Sequence, residues 1–482
     1  MARRLRTAPA ALALAAAFAL TACSGGGVHG KPGAAGLRDP YFAHLGNSGY
    51  DVAHYGLKLG YDPEAEHIDG EAVITARATQ DLSAFNLDLK GLDVERITVE
   101  GRPARFNRNG AELTVRPHDE LRKGETFRTT VRYAGEPQTI TDEDGAKEGW
   151  LPTDEGAVAL GEPAGSMAWF PGNHHPSDKA AYDIEVTVPK GLKAVSNGEL
   201  SQERPGDDGD GTTFVWHSAE PMASYLATVA VGAYETKTSV IEGASRKGGL
   251  PVYTAVVPSQ AEASKKPLAR IPEIVEWQEY NFGPYPFSSV GAIVEDEDAA
   301  GYALETQTKP VLPGAPDTEL LVHELAHQWF GNSVTPESWQ DMWLNEGFAT
   351  YAEWLWSEDH EGESAQEIFD QVYAGEGDYV EENIGDAEDA EAIWAYPPAK
   401  PSGADTISDT PVYYRGAMVV HKIRQAVGDD RFYDIVQGWT KTHRHGNADT
   451  KDFTEYVEKK AGKDLGAIWD VWLYGEGKPA KP

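Results

Sequence analysis

His323-Glu324-Leu325-Ala326-His327 decides how this chain is read. Residues four apart on a helix share a face, so the two imidazoles can converge on one metal ion. Glu324 follows the first histidine directly, where its carboxylate can reach a water on that metal without being a ligand itself. Eighteen residues separate His327 from Glu346, which stands in Trp343-Leu344-Asn345-Glu346-Gly347. A helix, a turn and a return helix of that length bring Glu346 back beside the histidine pair. Two His and one Glu leave the fourth tetrahedral position of zinc open, the pattern of a catalytic rather than a structural site. One Zn2+ per chain is expected, held by His323, His327 and Glu346. The bland alternative is two core histidines and an unrelated surface Glu.

Around this segment the texture is helical. Helical spacing runs from Thr318 to Phe330, Trp339 to Trp356, Ala417 to Val427 and Phe453 to Ala461. Asp317 or Thr318 can cap the first of these and Gly331 can end it. Leu268 to Tyr280 also has helical spacing and ends at Gly283-Pro284, and Val290 to Val294 reads as a short buried strand. The acidic stretch Gly375 to Glu391 reads as a solvated loop or insert. His174-His175 and His443-Arg444-His445 lack comparable helical geometry and read as ordinary loop residues. The chain stops soon after Leu473, so no large third domain is expected.

Further towards the amino terminus the period changes from helical to two. Phe85, Leu87 and Leu89 alternate with polar residues, as do Phe127, Thr129, Val131 and Tyr133, and then Tyr182, Ile184, Val186 and Val188. Each run is a half-buried strand, with Lys90-Gly91 and Asn197-Gly198 as turns. An antiparallel β domain over 40–240, followed by a mainly helical domain over 241–482, is the expected organisation, an α+β multidomain chain.

Arg3, Arg4 and Arg6 precede an Ala-, Leu- and Phe-rich run from Ala8 to Leu20. That run is too short for a mature transmembrane helix and reads as a signal-peptide core, with 1–22 removed. Leu20-Thr21-Ala22-Cys23 resembles the lipobox of bacterial lipoproteins, and Cys23 is the only cysteine. A lone thiol forms no internal disulfide, so lipidation of Cys23 is the reading. Residues 23–39 are then a Gly/Ala-rich tether, and the protein is expected outside the cytoplasm, anchored by lipid to the outer face of the cell membrane. Asp and Glu number 77 against 42 Lys and Arg, a formal charge of −35. Such a surface repels phosphate backbones, so nucleic acid is excluded as a partner.

The motif His323 to His327 with Glu346 is similar to the gluzincin signature. Its surroundings, His327-Gln328-Trp329-Phe330-Gly331-Asn332 and Trp343 to Ala349, resemble the aminopeptidase N family, as does Asn281-Phe282-Gly283-Pro284-Tyr285-Pro286-Phe287. The resemblance implies a saddle-shaped β domain packed on a thermolysin-like catalytic domain. It also implies peptides with a free amino terminus as substrates. Larger members of the family carry a C-terminal helical domain, which is not expected here. Ala303-Leu304-Glu305-Thr306 sits where the family has Gly-Ala-Met-Glu-Asn, which makes Glu305 the grip on the substrate's amino group. Tyr302, Leu304 and Thr306 depart from that pattern. Tyr413-Tyr414-Arg415-Gly416-Ala417 resembles the family's Tyr-x-Lys-Gly-Ala, which makes Tyr413, not Tyr414, the catalytic tyrosine. Counting back from Pro171 and Pro176 places Glu162 as a second holder of the amino terminus.

On this reading Glu324 is the general base and Tyr413 the donor to the oxyanion. Two rivals are a zinc endopeptidase on the same scaffold and a peptide-capturing lipoprotein that has lost catalysis. Glu305 argues against the first, because a carboxylate there would block a passing chain. The complete set of His323, Glu324, His327, Glu346 and Tyr413 argues against the second. No Gly-x-Ser-x-Gly elbow or Walker-type phosphate loop competes.

Overall fold

Period-two alternation becomes period-two burial along Tyr50–Asp62, His67–Ala78, Thr126–Gly135 and Lys179–Pro189. These strands are the centre of an eight-stranded sheet in the computed structural model, which describes residues 30–141, 145–206, 209–243 and 248–480. Its order is Glu199–Pro205, Gly211–Ala223, Lys179–Pro189, Tyr50–Asp62, His67–Ala78, Thr126–Gly135, Asp93–Val99 and Arg102–Pro103. Neighbours are antiparallel except at one seam, where Lys179–Pro189 runs parallel to Tyr50–Asp62. A parallel pair needs a long crossover, and the chain between them supplies it. That crossover includes Thr139–Thr141, Lys147–Pro152 and Ala157–Leu160. They join Val229–Gly232 and Lys193–Ser196 in a five-stranded antiparallel sheet. Leu82–Asp88 differs from its half-buried reading: Asn86 and Asp88 are buried too, at 5% and 3% exposure.

Glu235–Ile241 pairs with Leu250–Val256, which runs parallel to Val290–Glu295 and through it to Val311–Pro313. A boundary at 240 therefore falls inside a strand of the second half's own sheet. The helices follow: Ile271–Phe282, Thr318–Ala326, Trp343–Asp359, Gly416–Val427, Asp429–Thr442 and Thr450–Ala461. The acidic stretch is not a plain loop. It forms short helices Asp378–Asn383 and Ala387–Ala392, and it buries Tyr379 and Val380.

One continuous hydrophobic core runs from Tyr50 to Leu473 through both halves. Two lysines cross the seam. Lys179 Nζ donates to the carbonyls of Asn332 and Ser333 at 3.0 Å each and of Gly446 at 3.2 Å. Lys309 Nζ donates to Gly198 O and lies 4.7 Å from the ring of Trp216. The expected Asn197-Gly198 turn is also an interface. Gly198 takes φ +77°, which glycine adopts freely, its N–H donates to Thr308 Oγ1 at 2.8 Å, and Asn197 Nδ2 reaches Gln307 O at 2.8 Å.

Two readings from composition are corrected. Residues 30–39, taken as tether, are bound to the body: Lys31–Pro32 pairs with the Leu82 strand and Asp39 is buried. His174 and His175 are buried at 2% and 5% exposure. His174 N–H donates to Asp88 Oδ2 at 3.2 Å, and the ring of His175 meets Ser177 Oγ at 2.7 Å. Among the described residues no helix is long and apolar enough to cross a membrane. The leader 1–22 and Cys23 lie outside the described residues.

Candidate active site

The helix Thr318–Ala326 begins where Asp317 Oδ1 accepts from Leu320 N–H at 2.8 Å, an N-cap that satisfies an orphan donor. It ends at Ala326 rather than Phe330. His327 is its cap, and Asn332 N–H turns back to His327 O at 3.0 Å. Gly331, at φ +112°, makes that turn possible, and a Cβ there would lie 2.1 Å from Asn345 Oδ1. The expected helix from Trp339 resolves into a 3-10 turn, Trp339–Asp341, and the helix Trp343–Asp359, whose first turn carries Glu346.

The three expected ligands meet. Glu346 Oε2 lies 3.2 Å from His323 Nε2 and 3.4 Å from His327 Nε2, with the two imidazole centroids 4.6 Å apart. Each ring is turned by a bond on its far side. His323 Nδ1 donates to Glu353 Oε1 at 2.5 Å, and His327 Nδ1 to Asn345 Oδ1 at 2.5 Å and Phe330 O at 3.1 Å. Those bonds turn both Nε2 atoms inward onto Glu346, the orientation a metal needs once it has displaced their protons. Burial alone would lower both imidazoles. Glu346 and Glu353 overcome it at His323, which stands well above its ordinary value, and Glu346 and Glu305 raise His327 to about 9. Burial opposes the charge of Glu346, but the two imidazoles pull it down to about 2. A buried carboxylate between two imidazoles facing inward fits a divalent cation, and two nitrogens and one oxygen fit zinc.

Glu324 is 4% exposed, and its Oε2 has no hydrogen-bond partner among the described residues. Burial raises it to about 7 against the pull of the imidazoles. Glu305 Oε1 accepts from Asn345 Nδ2 at 3.0 Å, so one buried amide holds both a ligand and the amino-group candidate. Asn332 Nδ2 and Gln328 Nε2 donate to the carbonyl of Glu305 at 2.7 and 3.4 Å. Thr306 is fully buried and turns its hydroxyl to Lys309 O, away from the cavity. Glu162 follows the strand Ala157–Leu160 and precedes a cis peptide to Pro163. Burial holds it well above the usual carboxylate range, and Glu305, Glu346, Glu148 and Glu324 add to the effect.

Tyr413 lies on a π-turn, Pro411–Arg415, with its ring stacked on His323 at 6.1 Å and 16°. Burial and the nearby carboxylates keep its phenol protonated. Tyr414 is engaged elsewhere, donating to Asn383 O at 2.6 Å. Arg415 is fully buried and donates to the carbonyls of Trp472, Tyr396, Val471 and Gly475. The metal helix and the tyrosine helix touch through backbone, since a Cβ on Gly347 would lie 2.8 Å from Gly416 C. All seven residues lining this chemistry, from Glu162 to Tyr413, border one cavity of about 920 Å³.

The model described as Peptidase M1 N-terminal domain matches residues 51–226, and the one described as Peptidase family M1 domain matches 313–472. The chain belongs to peptidase family M1. An M1 zinc metallopeptidase structure from Deinococcus radiodurans is 28% identical with TM-score 0.83, over 93% of this chain and 98% of that one. A two-domain M1 zinc metallopeptidase mutant bound to L-arginine is 29% identical with TM-score 0.84, over 93% and 99%. Among curated proteins, probable aminopeptidase 1 of Saccharolobus solfataricus is 26% identical over 82% of this chain and 50% of its own length. Glutamyl aminopeptidase of Bos taurus is 26% identical over 88% and 46%. The chain spans about half the length of these curated relatives.

Two parts of this M1 site went unread in the sequence. Glu353 lies seven residues after Glu346, two helical turns along the same face, and that spacing was the available signal. Tyr379, inside the acidic stretch, has its hydroxyl 3.2 Å from Glu353 Oε2 and accepts from Trp354 Nε1 at 2.8 Å. The supposed insert thus steadies the residue that orients His323.

Proposed function

We propose that this chain is a zinc aminopeptidase acting on peptides with a free amino terminus. The observation that carries the reading is the pair of carboxylates, Glu305 and Glu162, beside the ligand group in one cavity. Among the described residues Glu162 has no hydrogen-bond or ion-pair partner, and its neighbours in charge are other acids. An α-ammonium supplies the missing cation. Bound at His323, His327 and Glu346, zinc supplies a Lewis acid that polarises the scissile carbonyl and acidifies water. Glu324, poised near neutrality, takes the proton of the attacking water and gives it to the leaving nitrogen. The Tyr413 hydroxyl donates to the oxygen that becomes negative. Glu305 and Glu162 fix the amino end, so the first peptide bond is the one presented.

The relatives support this reading by name, and an M1 zinc metallopeptidase mutant from Deinococcus radiodurans has been solved with a Tyr-Ser-Ala substrate. The test is hydrolysis of aminoacyl chromogenic amides with and without chelator, run beside free and N-acetylated forms of one peptide. Chelator-sensitive release from free termini is expected. Equal internal cleavage of the acetylated peptide would replace this reading with the endopeptidase. The lipid anchor belongs to the same proposal, supported by Leu20 to Cys23. Fatty-acid labelling of the wild type but not of Cys23→Ser is expected, and equal label would remove it.

A further inference from the structure

Residues 30–50 precede both family matches, yet part of this segment forms cavity wall. Its path is fixed by Asp39. Oδ1 accepts from the N–H groups of Tyr41 at 2.9 Å and Phe42 at 3.0 Å, and Oδ2 from Trp339 N–H at 3.0 Å, with His175 Nε2 at 3.4 Å. One carboxylate so ties the segment to the β half and to the turn that opens the Glu346 helix. The Tyr41 hydroxyl donates to Pro401 O at 2.7 Å, and Leu45 N–H closes a turn on Phe42 O at 3.0 Å. Between these ties Phe42 borders the cavity, half-buried, edge-on to Trp339 at 5.8 Å. It packs on the same small apolar cluster as Ala164, two residues after Glu162.

We infer that Phe42 and the strap carrying it form the wall that meets the side chain of the peptide's first residue and select an apolar one. The inference rests on the aminopeptidase reading. The α-carbon is one bond from the ammonium, so the first side chain starts beside Glu162. Phe42 shares its apolar cluster with Ala164, and the cavity is also lined by Leu151, Pro152 and Pro163, with the exposed Lys147 and with Asp298. An ammonium in water stays strongly hydrated, whereas a half-buried ring gains from covering apolar surface. Glu353, also in the wall, is held away from that cluster by its bond to His323 Nδ1.

The experiment measures kcat/KM of the zinc-loaded full chain on Phe-, Leu-, Ala- and Glu-amides of one chromophore. Wild type should favour Phe and Leu over Ala by about tenfold or more, the scale of apolar pocket discrimination. Phe42→Ala should cut that ratio about fivefold or more with zinc content unchanged. Phe42→Leu should keep the Leu-over-Ala preference, and Phe42→Lys should raise the relative rate on Glu-amide. The last two variants decide the matter even where the alanine variant unfolds. A proportionate fall on all four amides would reduce Phe42 to a structural part and overturn the inference. So would a wild-type preference for Glu-amide, which would make Lys147 the selecting group. No hydrolysis of any amide by wild type would instead remove the aminopeptidase reading itself.

Discussion

The two halves of the molecule serve the site by different means. The helical half places His323, Glu324 and Glu346 on two helices and His327 on the cap of the first, within one core, so backbone hydrogen bonds set their spacing. The β half reaches the same cavity with Glu162 after a strand end and Phe42 on a strap, positioned by turns and single side-chain bonds. Groups that must meet within about 0.5 Å belong on rigid elements, while groups that choose among substrates tolerate the looser support of loops. On the proposed reading the metal chemistry sits in the helical half, while the hold on the amino end is shared between Glu305 there and Glu162 in the β half.

Breaking the helical half should cost most. Glu324→Gln is expected to lower kcat by about 10²–10⁴, the worth of a positioned base, with zinc near one per chain by metal analysis. His323→Ala should lose the metal instead, and zinc loss in Glu324→Gln would erase the distinction drawn between them. Tyr413→Phe should lower kcat by about 10²–10³ with KM little changed, as removal of one oxyanion donor does. An effect confined to KM would move Tyr413 to the selecting side. In the β half, Glu162→Gln should leave zinc in place and shrink the preference for free over acetylated peptides. One partner of a buried charge pair is worth about 2–5 kcal/mol, so more than tenfold of that preference should go. The mildest perturbation, changing no residue, concerns protons. In the metal-free protein, against burial, the nearby carboxylates raise His327 to about 9 and hold His323 well above its ordinary value, so at neutral pH zinc must displace protons. Affinity should rise about tenfold per pH unit per proton displaced. Chelator competition at several pH values checks the slope, and a flat profile would show that the imidazole is already neutral.

Helical spacing is local, and so the segment from His323 to Glu346 was legible in the sequence together with the fold class. Tyr413, Glu305 and Glu162 came from resemblance, and the structure gathers them around the same cavity. What stayed hidden depends on distant partners. His174 and His175 are buried because Asp88, Asp39 and Ser177 meet them, and no pattern around the histidines says so. Phe42 reaches the site through Trp339, far along the chain, and residues 30–39 looked like tether because Gly and Ala carry no periodicity. The acidic stretch hid Tyr379 and Val380 among charges that its helices turn outward. The helix from Thr318 was read too long because periodicity carries on past Ala326, whereas the bond from Asn332 to His327 O ends it.

Lys179 and Lys309 have a consequence of a mechanical kind. Each lies in the seam between the halves, and opening that seam would strand an ammonium from carbonyls or aromatic faces on the other side. That loss weighs against the two halves parting. On the proposed reading its substrates must be threaded, so frayed and unstructured chain ends would be trimmed while an end tucked into a folded body is spared. The width of the cavity mouth would then decide which proteins in its surroundings are shortened.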